Sequence, residues 1–260
     1  MIGQPRRTLL GFASCLFLAV NAHAAADSAA DPIASAIGSS ERPADDRVQD
    51  DMRQPAAILA FFGVKPGWHV IDVFSAGGYY TELLSRIVGP KGEVIAYNNA
   101  PYASFAAKDI VKRYAGNRLS NVRQITAEVG ELTLAPKSLD GAIFVMSYHD
   151  LYWRPADGSW GKTDPKVMLA KLHAALKDDG VVLVQDHVAK PGGDPSGVVE
   201  RLHRIDPARL RADFEAAGFG LDGESKALEH AGDDHTKLVF DPTIRGKTDQ
   251  VVYRFRKAAR

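Results

Sequence analysis

The chain has 260 residues, 45% of them hydrophobic and 25% charged, a globular composition that excludes a disordered or fibrous protein. Its 32 Lys and Arg balance 32 Asp and Glu, and setting aside residues 1–24, which hold Arg6 and Arg7 and no acid, leaves a charge of −2. A chain with no basic excess has no compositional footing for nucleic acid, and no apolar run is long enough for stable membrane insertion of the mature chain.

The N-terminus reads as an export signal. Arg6-Arg7 gives a basic start, 8–20 is an apolar run, and Ala22-His23-Ala24 is a small-x-small cleavage site. Residues 1–24 are therefore expected to be a signal peptide and the mature protein to be exported, to the periplasm. Arg6-Arg7-Thr8 also partly matches a twin-arginine signal. The single cysteine, Cys15, lies in this segment, so the mature chain carries no disulfide and no thiolate. Residues 25–46, rich in Ala, Ser and Asp without sustained periodicity, are expected to be a flexible lead-in to a single domain over 47–260.

From Gln54 a regular alternation begins. Pro55 opens a helix with Ile58, Leu59 and Phe62 on one face, and Gly63 stops it. Strands are expected at 70–74, 93–97, 122–126, 141–146 and 181–184, with helices at 81–88 and 105–114. A further helix opens at Asp164-Pro165 and runs to Gly180, and another opens at Asp206-Pro207 and runs to Gly218. The tail offers strands at 226–228 and 250–255. This order predicts an α/β, doubly wound, Rossmann-like sheet, with chemistry at the loops after the strand ends.

The first of those loops, in Asp72-Val73-Phe74-Ser75-Ala76-Gly77-Gly78-Tyr79-Tyr80-Thr81-Glu82, is a glycine turn between strand and helix. Its spacing is not G-x-G-x-x-G, and Tyr79-Tyr80 would crowd a dinucleotide pyrophosphate. A turn that merely packs strand on helix remains the alternative.

These residues resemble the class I S-adenosylmethionine (SAM)-dependent methyltransferases, and among them a bacterial group with export signals. The resemblance rests on Arg53-x-Pro55, Leu59-Ala60-Phe61-Phe62-Gly63-Val64-Lys65-Pro66-Gly67, Gly77-Gly78-Tyr79-Tyr80-Thr81-Glu82-Leu83-Leu84, Gly89-Pro90-Lys91-Gly92, His203-Arg204-Ile205-Asp206 and Gly246-Lys247-Thr248-Asp249. It implies a seven-stranded, mostly parallel sheet with an antiparallel last strand, and SAM as cofactor. By position it implies that Asp72 anchors the loop and that Ala76, Gly77 and Gly78 face the methionyl part, with Ser75, which stands where the family often has glycine or proline, in the same cofactor-binding set. Asn98 stands where the family has an acid for the ribose hydroxyls, and Glu128 where an acid meets the adenine amino group. Asn98→Asp is then expected to tighten SAM binding, and Gly77→Val to abolish it.

Two other strand ends carry Tyr148-His149-Asp150 and Gln185-Asp186-His187, with His203-Arg204 before the next helix. His149 or His187 suits a general base, with Asp150 and Tyr148 beside it in the catalytic set. A divalent metal is the second reading, although no dense ligand spacing such as H-x-x-x-H is present and no metal ligands are assigned. In the third the group is structural, with Arg204 paired to Asp186 or Asp150. The function expected is SAM-dependent methyl transfer to a small molecule. The alternatives are an exported binding module on a methyltransferase fold that has lost SAM, and a metal-assisted enzyme using the His/Asp cluster.

Overall fold

A computed structural model describes residues 1–3 and 31–258 of the chain. The expected signal peptide, with Cys15, lies almost wholly outside the described residues. No helix among the described residues is long and apolar enough to cross a membrane.

Seven strands form one sheet: β1 (His69–Val73), β2 (Glu93–Asn98), β3 (Val122–Thr126), β4 (Leu139–Val145), β5 (Leu176–His187), β6 (Phe219–Ser225) and β7 (Gln250–Lys257). Their spatial order is β3-β2-β1-β4-β5-β7-β6. The pairs among β1 to β5 are parallel, and β7 runs antiparallel between β5 and β6. This is the doubly wound architecture expected. Strand order reverses beside β1, where β4 crosses to its other side, and the carboxyl ends of β1 and β4 there flank a crevice.

The central strands are buried on both faces because successive side chains point to opposite sides. Ile71, Phe144, Val184 and Tyr253 enter one apolar cluster, while Val70, Ile143, Leu183 and Val252 enter the other. On the second face α4 (Pro55–Phe62) supplies Ile58, Leu59 and Phe62, and α5 (Tyr79–Val88) supplies Leu83, Leu84, Ile87 and Val88. On the first, α8 (Pro165–Ala175) and α10 (Pro207–Ala216) supply Leu169, Leu172, Leu210 and Phe214.

Four local expectations need correction. The described part of the lead-in, 31–46, is not a free segment. Asp31 caps α1 (Pro32–Gly38) by accepting from the Ile33 N–H, and Ala36 joins the core. It continues into α2 (Ala44–Arg47) and α3 (Asp50–Arg53), fixed by buried ion pairs described below. The expected 105–114 helix is α7 (Ala107–Tyr114), starting two residues later because the chain breaks at Ala106 after a separate short helix, α6 (Ala100–Phe105). Helix α8 ends at Ala175 rather than Gly180, because buried Leu176 already pairs with Leu139 across the sheet. The first tail strand is β6, whose Gly220, Asp222 and Glu224 suit a solvated edge, whereas 226–228 is loop. One helix, α9 (Pro195–Leu202), was not expected, although Asp194-Pro195 carries the same cap-and-proline signal as Asp164-Pro165.

Candidate active site

The crevice at the ends of β1 and β4 opens into a cavity of about 1020 Å³, at the upper limit of small-molecule and cofactor sites. Asp72, Ser75, Ala76, Gly77 and Gly78 line one end, and His149, Asp150, His187 and His203 line another. Four non-glycine residues on this wall hold left-handed backbone: Phe74 at φ 55°, Ala76 at 48°, Met146 at 51° and His203 at 50°. Such conformations cost energy and persist where surrounding structure over-determines them, a pattern that gathers at ligand sites.

The glycine loop is closed from within. Asp72 is buried, accepts from the Thr81 hydroxyl at 2.6 Å, and is pushed up to about 7 by burial. Ser75 donates its N–H to the Tyr97 carbonyl at 3.0 Å, and Gly78 donates back to Ser75 at 2.9 Å. Asn98 does not extend from the strand end to await a ribose. Its Oδ1 accepts from the Ala76 N–H at 2.9 Å, and its Nδ2 donates to Ser75 Oγ at 3.1 Å and to the Ala76 carbonyl at 3.4 Å. The amide is a brace for the loop, which requires a donor and an acceptor on one side chain.

Gly77 has a different reason to be glycine than ligand approach alone. A Cβ there would lie 2.7 Å from the Asp109 Cβ on α7, and the Gly77 carbonyl accepts from Arg113 Nε at 2.8 Å. Arg113 in turn donates to Asp46 and Glu82, at 2.5 and 3.0 Å, so α2, α5 and α7 lock together over the loop. Tyr79 and Tyr80 point back into that N-terminal layer, donating to Asp50 and to the Arg53 carbonyl. Arg53 lines the cavity with its guanidinium 4.6 Å from the Tyr79 ring centre, and no carboxylate pairs with it among the described residues.

Glu128 lies elsewhere. It lines a separate hollow of about 300 Å³, accepting from the Lys162 N–H at 3.0 Å. Gly161, at φ 82°, lets the backbone pass so close that a Cβ would sit 2.6 Å from that carboxylate. An aromatic group lines the large cavity. Tyr102 stacks on Phe74 at 5.0 Å, and Trp160 meets Tyr102 at 4.9 Å and Trp153 at 4.6 Å.

The histidines converge as their loops suggested. His149 Nδ1 donates to Asp186 Oδ1 at 2.7 Å, its backbone N–H donates to Asp186 Oδ2 at 2.8 Å, and its Nε2 is 3.4 Å from Asp150 Oδ1. Burial alone would lower the His149 imidazole, but the two carboxylates outweigh it and hold the ring up to about 9. Burial raises Asp150, which also accepts from the Tyr102 hydroxyl. His187 meets the Thr248 hydroxyl at 2.8 Å and is pushed down to about 3 by burial. His149 is thus the imidazolium of a buried pair at neutral pH, and His187 is neutral. Neither is tuned as a general base near pH 7.

Tyr148 does not belong to the set. It is wholly buried among Phe144 and Phe214 and donates to Asp213 at 2.9 Å, away from the cavity. Arg204 does not pair with Asp186 or Asp150. It binds Asp233 at 2.7 Å, and with it the 226–249 connection that brings Val239, Phe240 and Arg245 to the cavity. Among the described residues no group of His, Cys, Asp and Glu is arranged to hold a metal ion. Sequence reasoning missed Arg53 as a cavity cation, the Tyr102–Trp160 wall, Asp109 and Arg245. Of these only Arg53 carried a signal, within the Arg53-x-Pro55 motif.

A family model for protein-L-isoaspartate(D-aspartate) O-methyltransferase matches residues 48–145, from the N-terminal layer through β4. A search of curated protein sequences finds no match. Among solved structures, a SAM-dependent methyltransferase from Aquifex aeolicus superposes with a TM-score of 0.57 at 21% identity, covering 87% of this chain and 98% of that one. The YcgJ protein from Bacillus subtilis gives 0.52 at 14% identity over 79% and 99% of the two chains. The mitomycin 7-O-methyltransferase gives 0.50 at 16%, over 82% of this chain and 55% of that one. The fold is the Rossmann-like methyltransferase fold.

Proposed function

We propose that the chain is a SAM-dependent methyltransferase acting on a small molecule in the 1020 Å³ cavity. The observation that carries this reading is the joining, in one cavity at the strand-order reversal, of the glycine loop with the His149, His187 and His203 wall. The fold and the family match over 48–145 support it. The cavity wall fits the cofactor at its amino-acid end, where Arg53 would hold the carboxylate and the loop backbone would meet the chain. It fits less at the nucleoside end, where Asn98 is spent on the loop and Glu128 faces the other hollow. When bound, SAM supplies an electrophilic methyl group on a sulfonium.

The work of the protein's own residues is alignment and exclusion of water. Asp186 fixes the ring orientation of His149, and Thr248 fixes that of His187. With His149 protonated and His187 a weak base, the acceptor enters already deprotonated or gives its proton to water. Export to the periplasm belongs to the same proposal, supported by Arg6-Arg7 and Ala22-His23-Ala24.

A ligand-binding module that has lost SAM is the second reading, favoured by the positions of Asn98 and Glu128. Incubation with trideuteromethyl-SAM and a pool of small nucleophiles, followed by mass spectrometry, separates the two. Labelled product from the wild type and at least tenfold less from Arg53→Ala is the expected result, since a charge-assisted contact is lost. Absence of any labelled product with the wild type would favour the binding module.

A further inference from the structure

His203 is built as a contact residue rather than as packing. It ends α9 with left-handed backbone, φ 50° and ψ 52°, its N–H donating to the Val199 carbonyl at 2.9 Å. A side chain in that region is strained and persists only where the surroundings hold it. Here Arg204 follows, buried, and donates to the Lys237 carbonyl, the Val188 carbonyl and Asp233.

The His203 ring is set by three aromatic neighbours. Trp153 and Phe240 each lie 5.1 Å away at steep angles, and His149 lies 5.6 Å away. All four residues line the cavity, and Phe240 is 54% exposed at its edge. Ring Nδ1 is buried and has no hydrogen-bond partner, whereas Nε2 is accessible and unpartnered among the described residues. An N–H buried without an acceptor is the costlier of the two orphan states, so the proton belongs on Nε2. Burial, with the charged His149 beside it, holds the imidazole down to about 4, so the ring is neutral. The result is one uncharged N–H donor set in an aromatic wall.

We propose that His203 is a specificity-determining contact of the acceptor site, and that the acceptor it takes is a flat ring bearing an oxygen, a phenol in simplest form. The ring lies against Trp153 and Phe240, and its oxygen accepts from His203 Nε2. This inference rests on the methyltransferase reading for the word acceptor, but the binding contact is testable apart from it.

The test compares phenol with toluene, which has the ring and lacks the oxygen. Each is titrated into the full chain with and without S-adenosylhomocysteine. The wild type is expected to prefer phenol by about tenfold, the upper range of one neutral hydrogen bond. His203→Ala and His203→Asn lose the preference, since the Asn amide reaches only the Nδ1 position. Asn also accepts left-handed backbone readily, so its failure is not one of strain. His203→Gln, whose amide nitrogen reaches the Nε2 position, keeps the preference within about threefold. In ¹⁵N-histidine-labelled wild type, phenol and not toluene shifts the His203 Nε2 signal, a readout needing no variant. Equal affinity for the two probes, a preference retained in His203→Ala, or an unmoved Nε2 signal would overturn the proposal. Failure of S-adenosylhomocysteine to bind, with the phenol preference intact, would instead remove the methyltransferase reading.

Discussion

Asn98 shows how a residue can be found by position and misread by role. Position alone makes it a stand-in for a ribose-binding acid, so that a carboxylate there looks like an improvement. In the fold its amide spans the loop, taking the Ala76 N–H and giving to Ser75 and the Ala76 carbonyl. Asn98→Asp would set a buried carboxylate against that carbonyl and lose the donor. We expect it to lower stability by about 1–3 kcal/mol, and SAM affinity with it, as read by thermal melts and titration. Gly77 carries a parallel lesson. Gly77→Ala presses on Asp109 of α7 and should cost about 1–3 kcal/mol by overpacking, even without ligand. Asp109→Gly in the same chain should recover most of that loss, because it removes the atom in the way. A double-mutant cycle in denaturant with no coupling between the two would show that the loop is glycine for the ligand only.

At the scale of elements, legibility followed burial. Strands β1, β4, β5 and β7 were plain because both faces are buried and the run is apolar. β6 was displaced because an edge strand with Gly220, Asp222 and Glu224 has no such run. The histidine wall was legible for a topological reason, since its loops follow the neighbouring strands β4 and β5 at the carboxyl ends of the parallel strands. The N-terminal layer was the least legible part, although Asp31-Pro32 carries the cap-and-proline signal that opens α1. What ties it to the rest is long-range, Asp46 reaching Arg113 across 67 residues, while Arg42 pairs with Asp50 inside the layer. The layer yields a sharp contrast between adjacent residues. Asp46→Ala leaves the buried Arg113 with less compensation and should cost about 3–5 kcal/mol, while Asp45→Ala, which breaks an exposed pair with Lys112, should cost under about 1 kcal/mol. Equal losses in chemical denaturation would mean that the layer is held by apolar contact alone.

For the whole molecule the histidine cluster sets a pH window. The His149 ring is raised from its ordinary 6.5 to about 9, so its stabilising pair is fully present below pH 6.5 and lost as pH rises through about 9. His187 and His203 are lowered to about 3 and about 4, so their contribution is present above pH 6.5 and lost as pH falls toward those values. Melting temperature should therefore peak near pH 6.5, fall toward about pH 9 as the His149 contribution is lost, and fall toward acid as His187 and His203 are forced to charge. His149→Gln should flatten the alkaline fall and leave much of the acid one.

The same cluster faces the glycine loop across one cavity, and a single sulfonium ligand reaching from Arg53 toward His149 would explain both walls. Calorimetric titration of S-adenosylhomocysteine into the wild-type chain addresses this most directly. One site per chain is expected, with affinity at least tenfold weaker in Arg53→Ala, the scale of a charge-assisted hydrogen bond. No binding heat at any temperature, with the chain folded by its melt, would contradict the assignment of this cavity to SAM.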